Sequence, residues 1–438
     1  SMARYISSRL SFAFDYHHYP PMYPFFIAPA FLFSPDKVYG AIKVLNALYG
    51  SSVVFPLFLI ARRFLNSRAS LVVMLMAVLH PYHLVAPQLI MSENIYIPLF
   101  LWTVFLVVCA PRQRKLVWDI LAGVVLGMLW LTRYITFVAV PAFLICWWIN
   151  PFEGEQSLFR PGKKKIIHFL VMGMTALLVN GMWVTAGVLQ GVPVMDMLGF
   201  GITRSPRPEQ VTLPYYIMWT EFYAGYLVMI CAPFLCVLIF SIVRINWKEW
   251  RNHNSSWVVS VILLLGAFFM AVVRHSTRAV YNYPLPHLLM GRYLLALSPL
   301  LLMTALIVFL QPVDSNKNNQ RKALVSFGIS GVLMVVAYLL LVEKFFTFPR
   351  IPIWSDKGAS LDGAYVHIIR DAYLPFSFFL ALLGAFHLTG KKPNLWRFAV
   401  VCGLAFYFVC GLPEYSTALK KEVEFARVAQ SLAESVYQ

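Results

Sequence analysis

A succession of long apolar segments, separated by short polar connections, constrains this chain more than any other feature. Of its 438 residues, 60% are hydrophobic and 13% are charged, and the mean hydropathy is +0.69. A soluble domain carries roughly 25% charged residues, so this chain has too few polar side chains to cover a surface that faces water. The sequence therefore predicts a membrane protein.

The apolar segments have the length of membrane-spanning helices. A bilayer core of about 30 Å requires roughly 20 apolar residues per helix. Twelve such segments lie near residues 37–61, 69–83, 94–110, 116–132, 134–149, 166–189, 214–243, 256–273, 293–310, 323–342, 373–389 and 398–411. We expect an all-α, polytopic transmembrane helix bundle of about twelve spans over 37–411. A first loop at 1–36, with a Pro-Pro turn, precedes it, and an amphipathic tail at 412–438 follows.

The net charge of +17 is concentrated between the apolar segments. Nineteen of the 36 Lys and Arg residues form six clusters: Arg62/Arg63/Arg68, Arg112/Arg114/Lys115, Arg160/Lys163/Lys164/Lys165, Arg244/Lys248/Arg251, Lys317/Arg321/Lys322 and Lys391/Lys392/Arg397. Because cytoplasmic loops are enriched in Lys and Arg, we expect a multi-pass protein of the plasma membrane that binds membrane lipids and no nucleic acid. The alternation then places loops 84–93, 190–213, 274–292 and 343–372 on the extracytoplasmic face.

Glu93 stands at the extracytoplasmic start of a predicted span. An ionisable side chain at the centre of a span costs roughly 2.5 to 3.5 kcal/mol, so those that occur usually face a cavity. The Glu93 carboxylate could cap its helix, or it could belong to an active site. The sequence alone leaves both interpretations open.

Histidine, tyrosine and proline residues gather in the outer segments. Two successive prolines, Pro20 and Pro21, predict a rigid extended turn in place of a helix. Such a turn can hold a pocket wall, although anchoring at the membrane interface explains the same residue types. The candidate pocket residues are His18, Tyr19, Tyr23, His83, Asn94 and Arg133. No metal ligand is assigned, because the histidines lack an acidic partner at a suitable spacing, and a divalent metal stays open.

The outer segment 274–292 carries Arg274, Arg278 and Arg292, together with two histidines and no acid. A guanidinium group matches phosphate oxygens with two parallel hydrogen bonds. The segment therefore favours a phosphate or pyrophosphate group at the membrane surface. General attraction to anionic lipid head groups is the alternative.

Several motifs occur in an order that resembles the GT-C glycosyltransferases. They are Tyr19-Pro20-Pro21-Met22-Tyr23-Pro24, Ala61-Arg62-Arg63-Phe64, His80-Pro81, Ser92-Glu93-Asn94 followed by Pro98-Leu99, Leu131-Thr132-Arg133 and Gly291-Arg292-Tyr293-Leu294. The pattern is most similar to the protein O-mannosyltransferase and lipid A aminoarabinose transferase type. It implies an inverting enzyme that moves a hexose or pentose from a polyprenyl-phosphate carrier to a protein, lipid or glycan acceptor on the extracytoplasmic face.

The resemblance also implies roles for individual residues. Glu93 matches a family acid at the head of its helix, and Arg292 and Tyr293 match the segment associated with the carrier phosphate. His18 matches a position that in some relatives contacts a metal or phosphate, and Asp15 is a candidate substitute for the acids of the first outer loop. The family carries about thirteen helices. Its first helix and acidic pair precede an Ala-Arg-Tyr-like stretch, which here resembles Ala3-Arg4-Tyr5. The resemblance therefore places that helix and the acidic pair before Ser1.

Two other classes of function remain open on the sequence. A lipid or sugar transporter or flippase would place its polar residues near the bilayer midplane, on broken helices, whereas the candidate residues here gather at one face. A non-catalytic subunit that binds lipid phosphate would need the basic residues but no catalytic acid.

Overall fold

The computed structural model describes Ala3, Ile6, Leu294 and residues 20–78, 90–109, 115–150, 162–198, 213–245, 253–282, 297–310, 317–345 and 374–388. All regular structure in these ranges is helical. The predicted all-α fold is therefore confirmed for the part of the chain that is described.

The structure describes fifteen α-helices in these ranges. In chain order they are α1 Met22–Ile27, α2 Pro35–Ser51, α3 Val54–Arg62, α4 Ser67–Val78, α5 Glu93–Val104, α6 Leu116–Thr132, α7 Thr136–Ile149, α8 Lys163–Leu189, α9 Val194–Met197, α10 Leu213–Cys231, α11 Leu235–Val243, α12 His253–Asn282, α13 Ser298–Leu310, α14 Lys317–Phe345 and α15 Leu374–Leu388. A 3-10 turn, Ala28–Leu32, follows α1, and a π-helical turn, Phe105–Cys109, extends α5.

Eleven of the twelve predicted segments coincide with helices, and the twelfth, 398–411, lies outside the described residues. In the described part, five stretches are long and apolar enough to cross a membrane by length and composition: Pro35–Arg62, Lys163–Leu189, Tyr216–Val243, Ser255–His275 and Lys317–Leu339. The remaining apolar helices are shorter. The chain is thus built as a multi-pass bundle, and the exact number of spans stays a prediction.

Two predicted boundaries are wrong. The turn at Pro20 and Pro21 does not stay extended, because Pro21 has φ −77° and ψ −19° and directly precedes α1. Proline is tolerated at a helix start, where its missing N–H group would have no partner in any case. The second boundary is the end of α12. This helix continues to Asn282, so the first part of the predicted loop 274–292 is helical.

Helices α6 and α8 are packed together through their backbones. Gly123 and Gly127 lie one turn apart on α6 and face Met172, Thr175 and Val179 on α8. A Cβ atom built on Gly127 would lie 2.7 Å from the Cβ atom of Val179. Small residues at four-residue spacing allow helices in a membrane to approach this closely. The two glycines therefore set the distance between α6 and α8.

A buried polar cluster ties α6, α7 and α8 together at one end of this contact. Oδ2 of Asp119 lies 2.6 Å from Nδ1 of His168, and its Oδ1 accepts a hydrogen bond from Nε1 of Trp147 at 3.1 Å. Nζ of Lys165 donates to the main-chain oxygen of Trp148 at 2.6 Å. Lys165 thereby provides a partner for a carbonyl that the end of α7 leaves open. The sequence analysis did not identify this cluster, which lies beside the basic residues predicted to be cytoplasmic.

We expect Gly123→Ala to lower the melting temperature of the purified protein in detergent. The new methyl group would overlap the main-chain oxygen of Met172 and lie 2.7 Å from the Cβ atom of Thr175. Forcing extra atoms into a tight contact costs about 1–3 kcal/mol. Gly173→Ala on α8 is the control, since nothing lies within 4 Å of its Cβ position. Equal melting temperatures for the two variants would contradict the α6–α8 packing.

Candidate functional site

An ion pair joins the start of α5 to the end of α6. Nη1 of Arg133 donates to Oε1 of Glu93 at 2.6 Å, and the two side chains are 10% and 2% exposed. Glu93 is the first residue of α5, and Arg133 is the C-cap residue of α6. Along α6, Arg133 lies about 21 Å from Asp119. The candidate site and the buried Asp119 cluster therefore lie at opposite ends of the same helix.

The contacts of Glu93 reach beyond its own helix. Ser92, the N-cap residue of α5, makes no side-chain capping hydrogen bond. Its hydroxyl group lies 3.4 Å from Oε2 of Glu93 instead. A carboxylate that only caps its helix would not need the bond to Arg133. The Glu93 carboxylate therefore links the start of α5 to the end of α6.

Tyr96 contacts Arg133 of the ion pair, and Thr136 contacts Tyr96. The guanidinium carbon of Arg133 lies 5.7 Å from the centre of the Tyr96 ring, within the range of a cation–π contact. The Thr136 hydroxyl lies 3.2 Å from the Tyr96 hydroxyl. Both supporting residues are buried. The sequence analysis missed them, although Tyr96 follows Glu93 by three residues and so shares its helix face.

Tyr23 lies on α1. Its hydroxyl donates to Oδ1 of Asn46 on α2 at 3.3 Å. Burial raises the pKa of Tyr23 to about 12, and the charge of Glu93 adds to this rise, while Asn46 acts against it. α1, which carries Tyr23, packs against α6, and α2, which carries Asn46, packs against α5. The structure thus pairs Glu93 with Arg133, and a site role for Tyr23 stays a prediction.

Asn94 is buried next to Glu93, and its side chain bonds to the main chain of the turn that precedes α5. Its Nδ2 donates to the main-chain oxygen of Met91 at 3.1 Å. This contact gives Asn94 a role in shaping the turn before α5. Its predicted contact with a substrate stays a prediction.

Arg274 lies on α12 and is exposed. α12 runs beside α5, because the Phe268 ring packs against Phe100 at a centroid distance of 5.4 Å and against Tyr96 at 6.5 Å. Arg274 follows Phe268 by six residues, which is about 9 Å along the helix. In the predicted antiparallel arrangement of spans, this step leads towards the end of the bundle that carries Glu93.

The other predicted site residues lie on α12 or outside the described residues. Arg278 lies within α12, and the positions Asp15, His18, Tyr19, His83, Arg292 and Tyr293 lie outside the described residues. Among the residues that the structure describes, no group of three His, Cys, Asp or Glu side chains is arranged to hold a metal ion. The roles of these residues, and a need for a divalent metal, stay predictions.

The part of the chain that contains this site matches a known protein family. Residues 18–183 match the family model described as dolichyl-phosphate-mannose-protein mannosyltransferase. This range includes Tyr23, Glu93 and Arg133. A comparison with curated proteins found no match.

Two crystal structures of ArnT from Cupriavidus metallidurans share the fold of this chain. The apo structure has a TM-score of 0.52 and 13% sequence identity, over 95% of this chain and 71% of ArnT. The structure bound to undecaprenyl phosphate has a TM-score of 0.51 and 13% identity, over 96% and 71% of the two chains. The chain therefore has the fold of ArnT. The family match over residues 18–183 and this shared fold confirm the resemblance inferred from motif order.

We expect Glu93→Gln and Arg133→Gln each to destabilise the protein strongly. Removing one partner of a buried ion pair leaves an uncompensated charge, which costs about 3–5 kcal/mol. The double substitution should cost less than the two single changes together, because it leaves no unpaired charge. Thermal unfolding in detergent measures all three. Asp36→Asn, which alters an exposed carboxylate, is the control, and additive effects would contradict the buried pair.

We expect Tyr23 to remain protonated well above the pH at which free tyrosine ionises. Its pKa is about 12 in the folded protein, against about 10 for an unperturbed tyrosine. Between these values only the unfolded chain loses the proton, so the folded state loses stability as pH rises. The absorbance difference between wild type and Tyr23→Phe measures this ionisation. A difference that develops near pH 10 would contradict the raised pKa of Tyr23.

Proposed function

We propose that this protein is an inverting membrane glycosyltransferase, a hexosyl- or pentosyltransferase. It moves a sugar from a polyprenyl-phosphate carrier to an acceptor on the extracytoplasmic face of the plasma membrane. The observation that carries the proposal is the buried Glu93–Arg133 pair, within a GT-C fold and within the range that matches a mannosyltransferase family. Dolichyl phosphate in that family's description and undecaprenyl phosphate in the ArnT complex both support a lipid-phosphate donor.

The chemistry is a displacement at the anomeric carbon of the sugar. The acceptor hydroxyl oxygen forms a bond to this carbon, while the bond to the phosphate oxygen breaks and its electron pair leaves with the phosphate. The hydroxyl proton passes to a carboxylate, a step that contributes about 10² to 10⁴-fold to the rate. The polyprenyl phosphate departs as an anion and needs no acid. Positive groups that stabilise its growing charge supply electrostatic catalysis.

Glu93 and Asp15 are the carboxylates that we assign to the reaction. Oε1 of Glu93 is held by Arg133 at 2.6 Å, which fixes the carboxylate as a hydrogen-bond acceptor in one orientation. We therefore assign to Glu93 the task of orienting the sugar or acceptor. Asp15, from the first outer segment, is the candidate for removing the proton. Positioning of this kind lowers the barrier because the reacting groups need no further alignment.

Arginines at the outer end of α12 and beyond are the candidates for binding the carrier phosphate. Arg274 is exposed on α12, and Arg278 follows it one turn later. Arg292 and Tyr293 complete this predicted group. Arginine suits the task because its planar group donates two parallel hydrogen bonds to phosphate oxygens.

The test supplies a polyprenyl-phosphate sugar to the full-length protein in lipid vesicles and follows release of the carrier phosphate. We expect Glu93→Gln and Arg292→Ala each to lower the rate by about 100-fold or more, because the first removes the positioning of the reacting groups and the second removes a contact to the departing phosphate. Arg321→Ala, a basic residue of a predicted cytoplasmic cluster on α14, is the matched control and should keep the wild-type rate.

Each other outcome identifies a different function. Release that depends on Arg292 but not on Glu93 would keep the phosphate site and remove Glu93 from the chemistry. Transfer of the intact carrier across the bilayer without release would identify a flippase or transporter. Binding of the carrier with neither release nor transfer would identify a non-catalytic subunit.

A further inference from the structure

Asn46 is a fully buried amide inside α2, a helix that the predicted topology places in the membrane. A buried amide group is costly unless it forms hydrogen bonds, and polar residues inside membrane helices commonly bond to a neighbouring helix. Here Oδ1 of Asn46 accepts a bond from the hydroxyl of Tyr23 on α1. Asn46 therefore connects the interior of α2 to a residue of the candidate site.

A second hydrogen bond joins the same two elements one turn further along. The Tyr49 hydroxyl on α2 donates to the main-chain oxygen of Phe26 on α1 at 3.1 Å. The rings of these two residues also pack edge to face, with centroids 5.2 Å apart. Both bonds attach α1 to α2. They differ in what they hold, because Asn46 bonds to the side chain of Tyr23, whereas Phe26 offers only its backbone to Tyr49. α1 packs against α6 and α2 packs against α5, which are the helices next to Arg133 and Glu93.

The bond to Asn46 also determines what the Tyr23 oxygen can do. A phenol hydroxyl has one proton to donate and lone pairs that accept. Once the proton points to Asn46, the oxygen is left as an acceptor. Tyr23 stays neutral at ordinary pH because its pKa is about 12, and it is only half-buried. A ligand that reaches this oxygen must therefore bring its own hydrogen-bond donor.

We propose that Asn46 is a positioning residue for the sugar donor. By holding the Tyr23 proton, it directs the Tyr23 oxygen to accept a hydrogen bond from a sugar hydroxyl beside the Glu93–Arg133 pair. This inference rests on the function proposed above and adds to it a specificity element, since a sugar that lacks the hydroxyl group would leave the Tyr23 oxygen without its donor. Asn46 itself touches Tyr23 and acts on the sugar through it.

The experiment compares Asn46→Leu with Tyr49→Phe in the vesicle assay. Each variant removes one of the bonds between α1 and α2 that are described above, so a purely structural role predicts similar effects. Loss of positioning predicts that Asn46→Leu raises the KM for the donor about fivefold, the value of one ordinary hydrogen bond, with little change in kcat. Tyr49→Phe should leave both constants unchanged.

Two further variants make the result decisive. Tyr23→Phe removes the hydroxyl and should raise the KM by a similar factor. In the double variant Asn46→Leu/Tyr23→Phe, Asn46 has nothing left to position, so its KM should equal that of Tyr23→Phe alone. Melting temperatures of all variants show whether each one folds. If Asn46→Leu does not fold, an unchanged KM in the milder Tyr23→Phe variant would still overturn the proposal.

The outcomes separate the two proposals. Turnover by the wild type with equal KM values for Asn46→Leu and Tyr49→Phe would overturn the positioning role alone. Additive effects of the two substitutions in the double variant would do the same, since Asn46 would then act without Tyr23. Absence of turnover by the wild type would overturn the proposed function and the positioning role with it.

Discussion

The close contact between the backbones of α6 and α8 is the constraint on which the candidate site depends. A membrane provides little hydrophobic force between helices, so their association relies on tight packing and on polar contacts. Gly123 and Gly127 supply the packing, and Asp119 with His168 supplies a polar contact on the same side of α6. This contact fixes α6, and α6 in turn carries Arg133 at its far end, where it meets Glu93.

Most of the fold was predictable from the sequence because apolar length is a strong and local signal. Each long apolar segment in the described ranges became a helix. The boundaries were less predictable. Two successive prolines predict an extended turn, yet Pro21 directly precedes α1, because a proline excludes a helix only when it lies in the helix interior. The predicted span stops at residue 273, where the apolar run ends, whereas α12 continues through Arg274 and Arg278, since arginine is a good helix former.

The site was predictable only where charge and position coincided. Glu93 and Arg133 stood out as ionisable residues at the ends of predicted spans, and the structure brings them into contact. Asn46, Tyr96 and Thr136 were missed because they are neutral and lie among apolar residues. Their importance comes from contacts between residues far apart in sequence, such as Tyr23 with Asn46. A single sequence does not show which residues far apart in the chain are in contact.

The unequal lengths of neighbouring helices have a consequence for how substrates arrive. α6 has 17 residues and α8 has 27, and their polar contact at Asp119 and His168 aligns them near one end. α8 therefore extends about 10 Å past Arg133, which is about two turns of helix. Under the function proposed above, a molecule that approaches the ion pair from the side of α8 would meet these two turns first.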